Sequence, residues 1–186
     1  MRNSNQFEGW YFKHQASGKS LAIILGRSID SAFILVVTDT NSYHIPYPLN
    51  DYHKNENHQV FHLRIGDSIF THIGIVLNIN HPDLTLIGEI AYTNLTPIDG
   101  DIMGPFRFFP MECRHGVVSM NHNLKGTVIL NGEQVFTNGK GYIESDSGRY
   151  IYETLAIPAR FRFMEGNCCL FDGTSDYASY EYMMQE

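Results

Sequence analysis

The sequence predicts an all-β protein made of antiparallel strands, and three observations carry that expectation. Apolar and polar residues alternate with period two along several short runs. No window of a dozen residues holds a clean 3.6-residue apolar period. Two-residue turn signals separate neighbouring runs. Aromatic residues make up 13% of the chain, which suits a half-buried pleated surface better than a helical stripe.

The runs that read as strands are residues 7–14, 20–25, 32–38, 59–65, 68–73, 75–79 and 84–93. Along 59–65, Phe61, Leu63 and Ile65 take one face, with His62 and Arg64 on the other. Along 83–93, Leu84, Leu86, Ile90 and Tyr92 face one way and Asp83, Thr85, Glu89 and Thr93 the opposite way. Only Gly66 and Asp67 separate Ile65 from Ser68, and only Asn131 and Gly132 separate Leu130 from Glu133. Both dipeptides suit the positive φ of a tight hairpin, so residues 127–130 are expected to pair with 133–136. Strands with one apolar side protect their edges by closing on themselves or stacking, so the expected architecture is an antiparallel barrel or a strongly curved meander. Residues 41–58 hold Pro46, Pro48, three Tyr and three His, and read as a long loop over one end of that barrel.

At 186 residues one domain, 1–186, is the default. The 13 Lys and Arg against 20 Asp and Glu leave a formal charge of −7, with no basic run, which argues against nucleic acid as a partner. The longest apolar stretch, 32–37, is far short of the roughly 20 residues a membrane helix needs, so no transmembrane segment is expected. Three cysteines, two of them adjacent at Cys168 and Cys169, argue for reduced thiols rather than a disulfide framework. The opening MRNSNQFEGW lacks an apolar signal core, so a cytoplasmic location is expected.

Three motifs stand out: FEGWYFK at 7–13, GPFRFFPMECRHGVVSMNHNLKG at 104–126 and GYIESDSGR at 141–149. Together they resemble the tocopherol cyclase family, including its short bacterial members. In the middle motif Pro110, Met111, Glu112, His115, Gly116, Ser119, Met120, His122 and Gly126 follow the family's order and spacing. The resemblance covers 7–149 and implies a lipocalin-like barrel, related to carotenoid hydratases and other two-barrel proteins, that takes a hydrophobic small molecule. Plant members close a chromanol ring by adding a phenol hydroxyl across an isoprenoid double bond, a reaction that implies no metal, nucleotide or redox cofactor. The chain departs from the pattern at Ser147, where the family usually carries Trp, and at Arg149, which runs directly into Tyr150. Residues 150–186 read as a divergent tail, so the barrel is expected to be truncated relative to the family. That tail is expected to be the least integrated part, and truncation at Gly173 to cost little.

Adding a phenol to an alkene needs a proton donor, a base near the phenol oxygen and a dry apolar cavity. Glu112, set between Met111 and Cys113, is the first candidate acid. On unbroken strand parity Glu112, Arg114 and His122 share a face, with His115 and Ser119 on the other. A turn at His115 and Gly116 would instead set Glu112 opposite Ser119. Glu144 and Asp146, two apart on one face, are the second choice, because paired carboxylates bias one towards its protonated form. The candidate catalytic set is therefore Glu112, His115, His122, Glu144 and Asp146. A Glu112 to Arg114 contact or a solvated strand end at Glu144 would explain the same residues structurally. Trp10, Phe106, Phe108 and Tyr142 are the candidate ligand-binding aromatics, with Trp10 also expected to plug the barrel end, as in lipocalin-type barrels. His58, His62 and His72 could converge on a metal, but no Cys or carboxylate pattern accompanies them, so no metal and no cofactor is assigned. Asp39, Ser42 and His44 lack a nucleophile elbow.

Three functions remain open at this level. One is a tocopherol cyclase-like isomerase acting on an isoprenoid or prenylated quinol. Another is a lipocalin-like protein that binds a hydrophobic small molecule and catalyses nothing. The third is a truncated barrel that forms a homo-oligomer through an exposed strand edge.

Overall fold

The computed structural model describes residues 5–57, 60–109 and 113–150, and its strands form one antiparallel sheet. The strands are β1 (Asn5–Ala16), β2 (Lys19–Arg27), β3 (Ser31–Thr38), β4 (Ser42–Pro48), β5 (Tyr52–Asn57), β6 (Val60–Ile65), β7 (Ser68–Thr71), β8 (Gly74–His81), β9 (Leu84–Thr93), β10 (Cys113–Leu130) and β11 (Glu133–Tyr150). Their order across the sheet is β4-β3-β2-β1-β11-β10-β9-β8-β7-β6-β5. Every neighbouring pair but one is also adjacent in sequence; the exception joins β1 to β11. The all-β, curved-meander expectation therefore holds for the described residues.

Period-two alternation sends one set of side chains inward. Leu21, Ile23 and Leu25 of β2, Ile34 and Val36 of β3, Phe61, Leu63 and Ile65 of β6, and Leu84, Leu86 and Ile90 of β9 belong to a single buried cluster. The sheet curls until β1 meets β6 and β7 across the interior: the Trp10 ring centre lies 4.3 Å from that of Phe61, and Phe12 lies 5.4 Å from Phe70. Each such aromatic removes enough apolar surface from water to contribute about 1.5–3 kcal/mol.

Among the described residues the sheet does not close, and β4 and β5 are its edges. Charge ties the opening together. The buried Glu8 carboxylate accepts from Arg27 Nε at 3.1 Å and from Lys54 Nζ, while Lys54 lies 5.4 Å from the Trp10 ring centre and Arg27 5.4 Å from that of Tyr52. Edge strand β5 is thus pinned to β1 and β2. Glu8→Ala should lower the unfolding free energy by about 1–3 kcal/mol, less than for a fully buried pair because both cations are partly exposed. A urea midpoint unchanged from the parent would show that the opening is held by packing alone.

Residues 41–58 do not form the expected loop. They build β4, a 3₁₀ turn at Leu49–Asp51, and β5. Pro46 and Pro48, which argued against a strand, lie opposite Phe33 and Ser31 on an edge, where a missing N–H removes no bond from the interior of the sheet. They also make that edge a poor template for a further strand.

Both expected hairpins are present, with Ile65 opposite Ser68 and Leu130 opposite Glu133. Asn131 and Gly132 both take positive φ, 49° and 86°, whereas in the other turn only Gly66 does, at 56°. There is no turn at His115 and Gly116: β10 runs on through them and instead carries bulges, between Val117 and Ser119 and between Ser119 and His122. Further along, β10 approaches β9 so closely that a methyl group on Gly126 would lie 2.0 Å from the Glu89 carbonyl oxygen. Glu112 and the tail 151–186, with the truncation point at Gly173, lie outside the described residues. Among those described, no helix is long and apolar enough to cross a membrane.

Candidate functional site

The β1–β11 pairing assembles the site. Phe12 lies opposite Ile143 on the inner face, so the flanking rows, Tyr11 with Glu144 and Lys13 with Tyr142, face outward. From the other side, β10 sets His115 opposite Asp146 and Val117 opposite Glu144. Three residues expected to be catalytic, His115, Glu144 and Asp146, and one expected to bind ligand, Tyr142, therefore meet on one face.

Their contacts form a chain. Tyr142 Oη donates to Glu144 Oε2 at 2.5 Å, His115 Nε2 lies 3.5 Å from the same oxygen, and His115 Nδ1 is hydrogen-bonded to Asp146 Oδ1. Although they sit on the outer face, Glu144 and Asp146 are only 9% and 6% exposed. Burial pushes the Glu144 carboxyl pKa up and the Asp146 charge adds to this, while the Tyr142 hydroxyl and His115 oppose it. The Asp146 hydrogen bond raises the His115 pKa, against the effect of burial. Burial, then Glu144, pushes the Tyr142 phenol up, so it stays a donor. Burial thus favours a proton on the Glu144 carboxyl, and the His115 imidazole beside it can take one up.

Glu144 opens onto a groove of about 600 Å³ on the outer surface. Tyr11, Tyr142 and Glu144 line one end, and Lys13, Gln15 and Lys140 the other.

His122 does not belong to this cluster. The two bulges in β10 turn Ser119 and His122 inward, so Ser119 lies opposite Ile143 and His122 opposite Gly141, on the core side. Unbroken parity had separated Ser119 from His122 and joined it to His115, and the extra residues reverse both relations. Ser119 Oγ donates its single proton to the Asn121 carbonyl at 2.9 Å, so the 3.2 Å contact with His122 Nδ1 has the imidazole as donor and leaves Nε2 bare. That ring lies over Gly141, where a methyl group would come within 2.2 Å of Nε2. Beside it, His14 Nε2 and Tyr92 Oη are hydrogen-bonded at 2.8 Å, and the Tyr92 and His122 ring centres are 4.5 Å apart. Burial lowers the pKa of His14 to about 3, with a contribution from His122, and that of His122 to about 4.

Trp10 is part of the core, stacked near Phe61, which fits the packing role. Phe106 and Phe108 do not line the groove. They are 59% and 77% exposed on a 3₁₀ turn, Gly104–Phe108, where Arg107 lies 4.6 Å from the Phe108 ring centre. His58 lies outside the described residues, His62 is exposed on β6, and the His72 ring packs edge-on to the inward Phe61 at 6.2 Å. Among the described residues no group of three or more His, Cys, Asp or Glu is arranged to hold a metal ion.

Tyr11, Lys13, Gln15 and Lys140 were not singled out from the sequence. The signal that would have found them is the register of β1 on β11, since every second residue of each strand then shares the Glu144 face.

No family model matches the chain, and no curated protein is similar to it in sequence. Among solved structures, a crystal structure described as a candidate AttH protein from Nitrosomonas europaea covers 80% of this chain at 14% identity, with a TM-score of 0.46. The chain spans about half of that protein, 53% of its length. A likeness at that identity and TM-score carries no argument about what this chain does.

Proposed function

We propose that the protein is an acid–base catalyst of the tocopherol cyclase type, closing a ring on a prenylated phenol or quinol by addition across a carbon–carbon double bond. One observation carries the reading: Glu144 is a buried carboxyl with a raised pKa, opens onto a groove beside Tyr11 and Tyr142, and is linked to Tyr142 and to the His115–Asp146 pair. Glu144 was the second choice of acid from the sequence; the first, Glu112, lies outside the described residues.

The chemistry balances without a redox partner. The Glu144 proton goes to one alkene carbon and the phenol oxygen bonds to the other. The phenol proton returns to the Glu144 carboxylate through the Tyr142 hydroxyl, which lines the groove and donates to Glu144 Oε2, and the product is an isomer of the substrate. A carboxylic acid protonates an alkene only when it is un-ionised and water is held off, and burial of Glu144 favours both conditions. Turnover should therefore fall as pH rises through the raised pKa of Glu144.

The test is Glu144→Gln, which keeps the shape and removes the transferable proton. Turnover of a prenylated quinol should fall by about 10²-fold or more while affinity stays within a few-fold of the parent. A variant as active as the parent would overturn the assignment. A parent that binds the quinol and never converts it would leave a lipocalin-like binding protein in its place.

A further inference from the structure

We infer that the end of the groove remote from Glu144 binds an anionic group through Lys13 and Lys140, so that the preferred substrate is a prenylated phenol bearing a ring carboxylate, a neutral quinol being bound more weakly. This rests on the groove being the reaction site. Lys13 lies opposite Tyr142 and Lys140 opposite Gln15, which makes the two lysines diagonal neighbours on paired strands. Like charges so placed repel, and neither has an ion-pair partner among the described residues. Among the described residues Lys140 Nζ donates to a neutral group, Asn123 Oδ1, at 2.6 Å. Glu144 is the other diagonal neighbour of Lys13, but among the described residues no carboxylate forms an ion pair with either ammonium group, so the end of the groove remote from Glu144 offers an anion two unpaired cations.

The spacing fixes the size of the molecule. A strand rises about 3.4 Å per residue, so the Lys13 row is about 7 Å, and Lys140 about 14 Å, from Glu144 along β11. Between these charged ends the Tyr11 and Tyr142 rings meet edge to face, with centres 6.2 Å apart. Across from them Met120, 53% exposed, offers a polarisable wall. An aromatic ring fits the middle, its prenyl double bond reaches Glu144, and a ring-borne carboxylate reaches the lysines.

The experiment is calorimetric titration of the full chain with a prenylated 4-hydroxybenzoate and with its methyl ester, at low salt. The parent and Glu144→Gln should both bind the carboxylate about ten-fold more tightly than the ester. Added salt should shrink that preference. The Lys13→Met, Lys140→Met double variant should lose it while keeping the parent's affinity for the ester, which also shows that the variant is folded. Equal affinities in the parent, or a preference that survives in the double variant, would overturn the anion site. Competition by phosphatidylserine vesicles would also overturn it, by assigning the lysines to a lipid surface. The two proposals fail separately. A carboxylate preference without turnover of either compound removes the catalytic reading and leaves the anion site, whereas turnover without the preference does the reverse.

Discussion

Gly126→Ala is expected to lower the unfolding free energy by roughly 3 kcal/mol or more, a large share of the 5–15 kcal/mol that a domain typically has. The cause is steric. The new Cβ would stand 2.0 Å from the Glu89 carbonyl oxygen and 2.8 Å from the Ile90 Cα, both backbone atoms of β9 that move only if the ladder opens. Gly132 provides the contrast. Its φ of 86° strains any L-residue, but nothing lies within 4 Å of its missing Cβ, so Gly132→Ala should cost only about 1–2 kcal/mol. Urea unfolding of both variants checks the pair. A Gly126→Ala cost no greater than that of Gly132→Ala would mean that β9 and β10 are further apart than described.

Acid should unfold this protein through its interior. His14 and His122 titrate at about 3 and about 4 in the folded chain, against 6.5 unfolded. Below pH 6.5 the unfolded chain takes up protons that the folded chain refuses, so the stabilisation is complete above 6.5 and drains away as pH falls towards 4 and then 3. Each residue accounts for on the order of 3–5 kcal/mol over that window. His115 has the opposite sign. Its raised pKa adds stability that is fully present below 6.5 and is lost as pH rises through its folded value. Denaturant midpoints between pH 7 and pH 4 should fall steeply for the parent and more gently for His14→Phe or His122→Phe. A slope unchanged by either substitution would assign acid lability to other groups.

The sequence displays what is local. The alternation in 59–65 and 84–93 and the two-residue turns after Ile65 and Leu130 each depend on neighbours within a few positions, and each is present in the sheet. Strand β4 was hidden because proline is compatible with a strand only at an edge, and edge position is a property of the whole sheet. The facing of Ser119 and His122 was hidden because each bulge residue inverts the parity beyond it and leaves no compositional mark. At the site, the i and i+2 spacing of Glu144 and Asp146 was legible and His115 was named. The row of Tyr11 and Lys13 beside them depends on contacts between residues more than 120 positions apart, for which no local pattern exists.

The pairing of Trp10 with Ser145 also sets a clock. At a synthesis rate of about 5–20 residues per second, the free side of β1 waits roughly 7–27 s before β11 leaves the ribosome. Until then Glu144 and Asp146 do not exist, and Tyr11 and Lys13 project from an open edge beside an apolar surface. The face that carries the groove therefore forms only once β11 has been made. A nascent chain stalled before residue 140 would lack the groove and be open to joining the wrong strand.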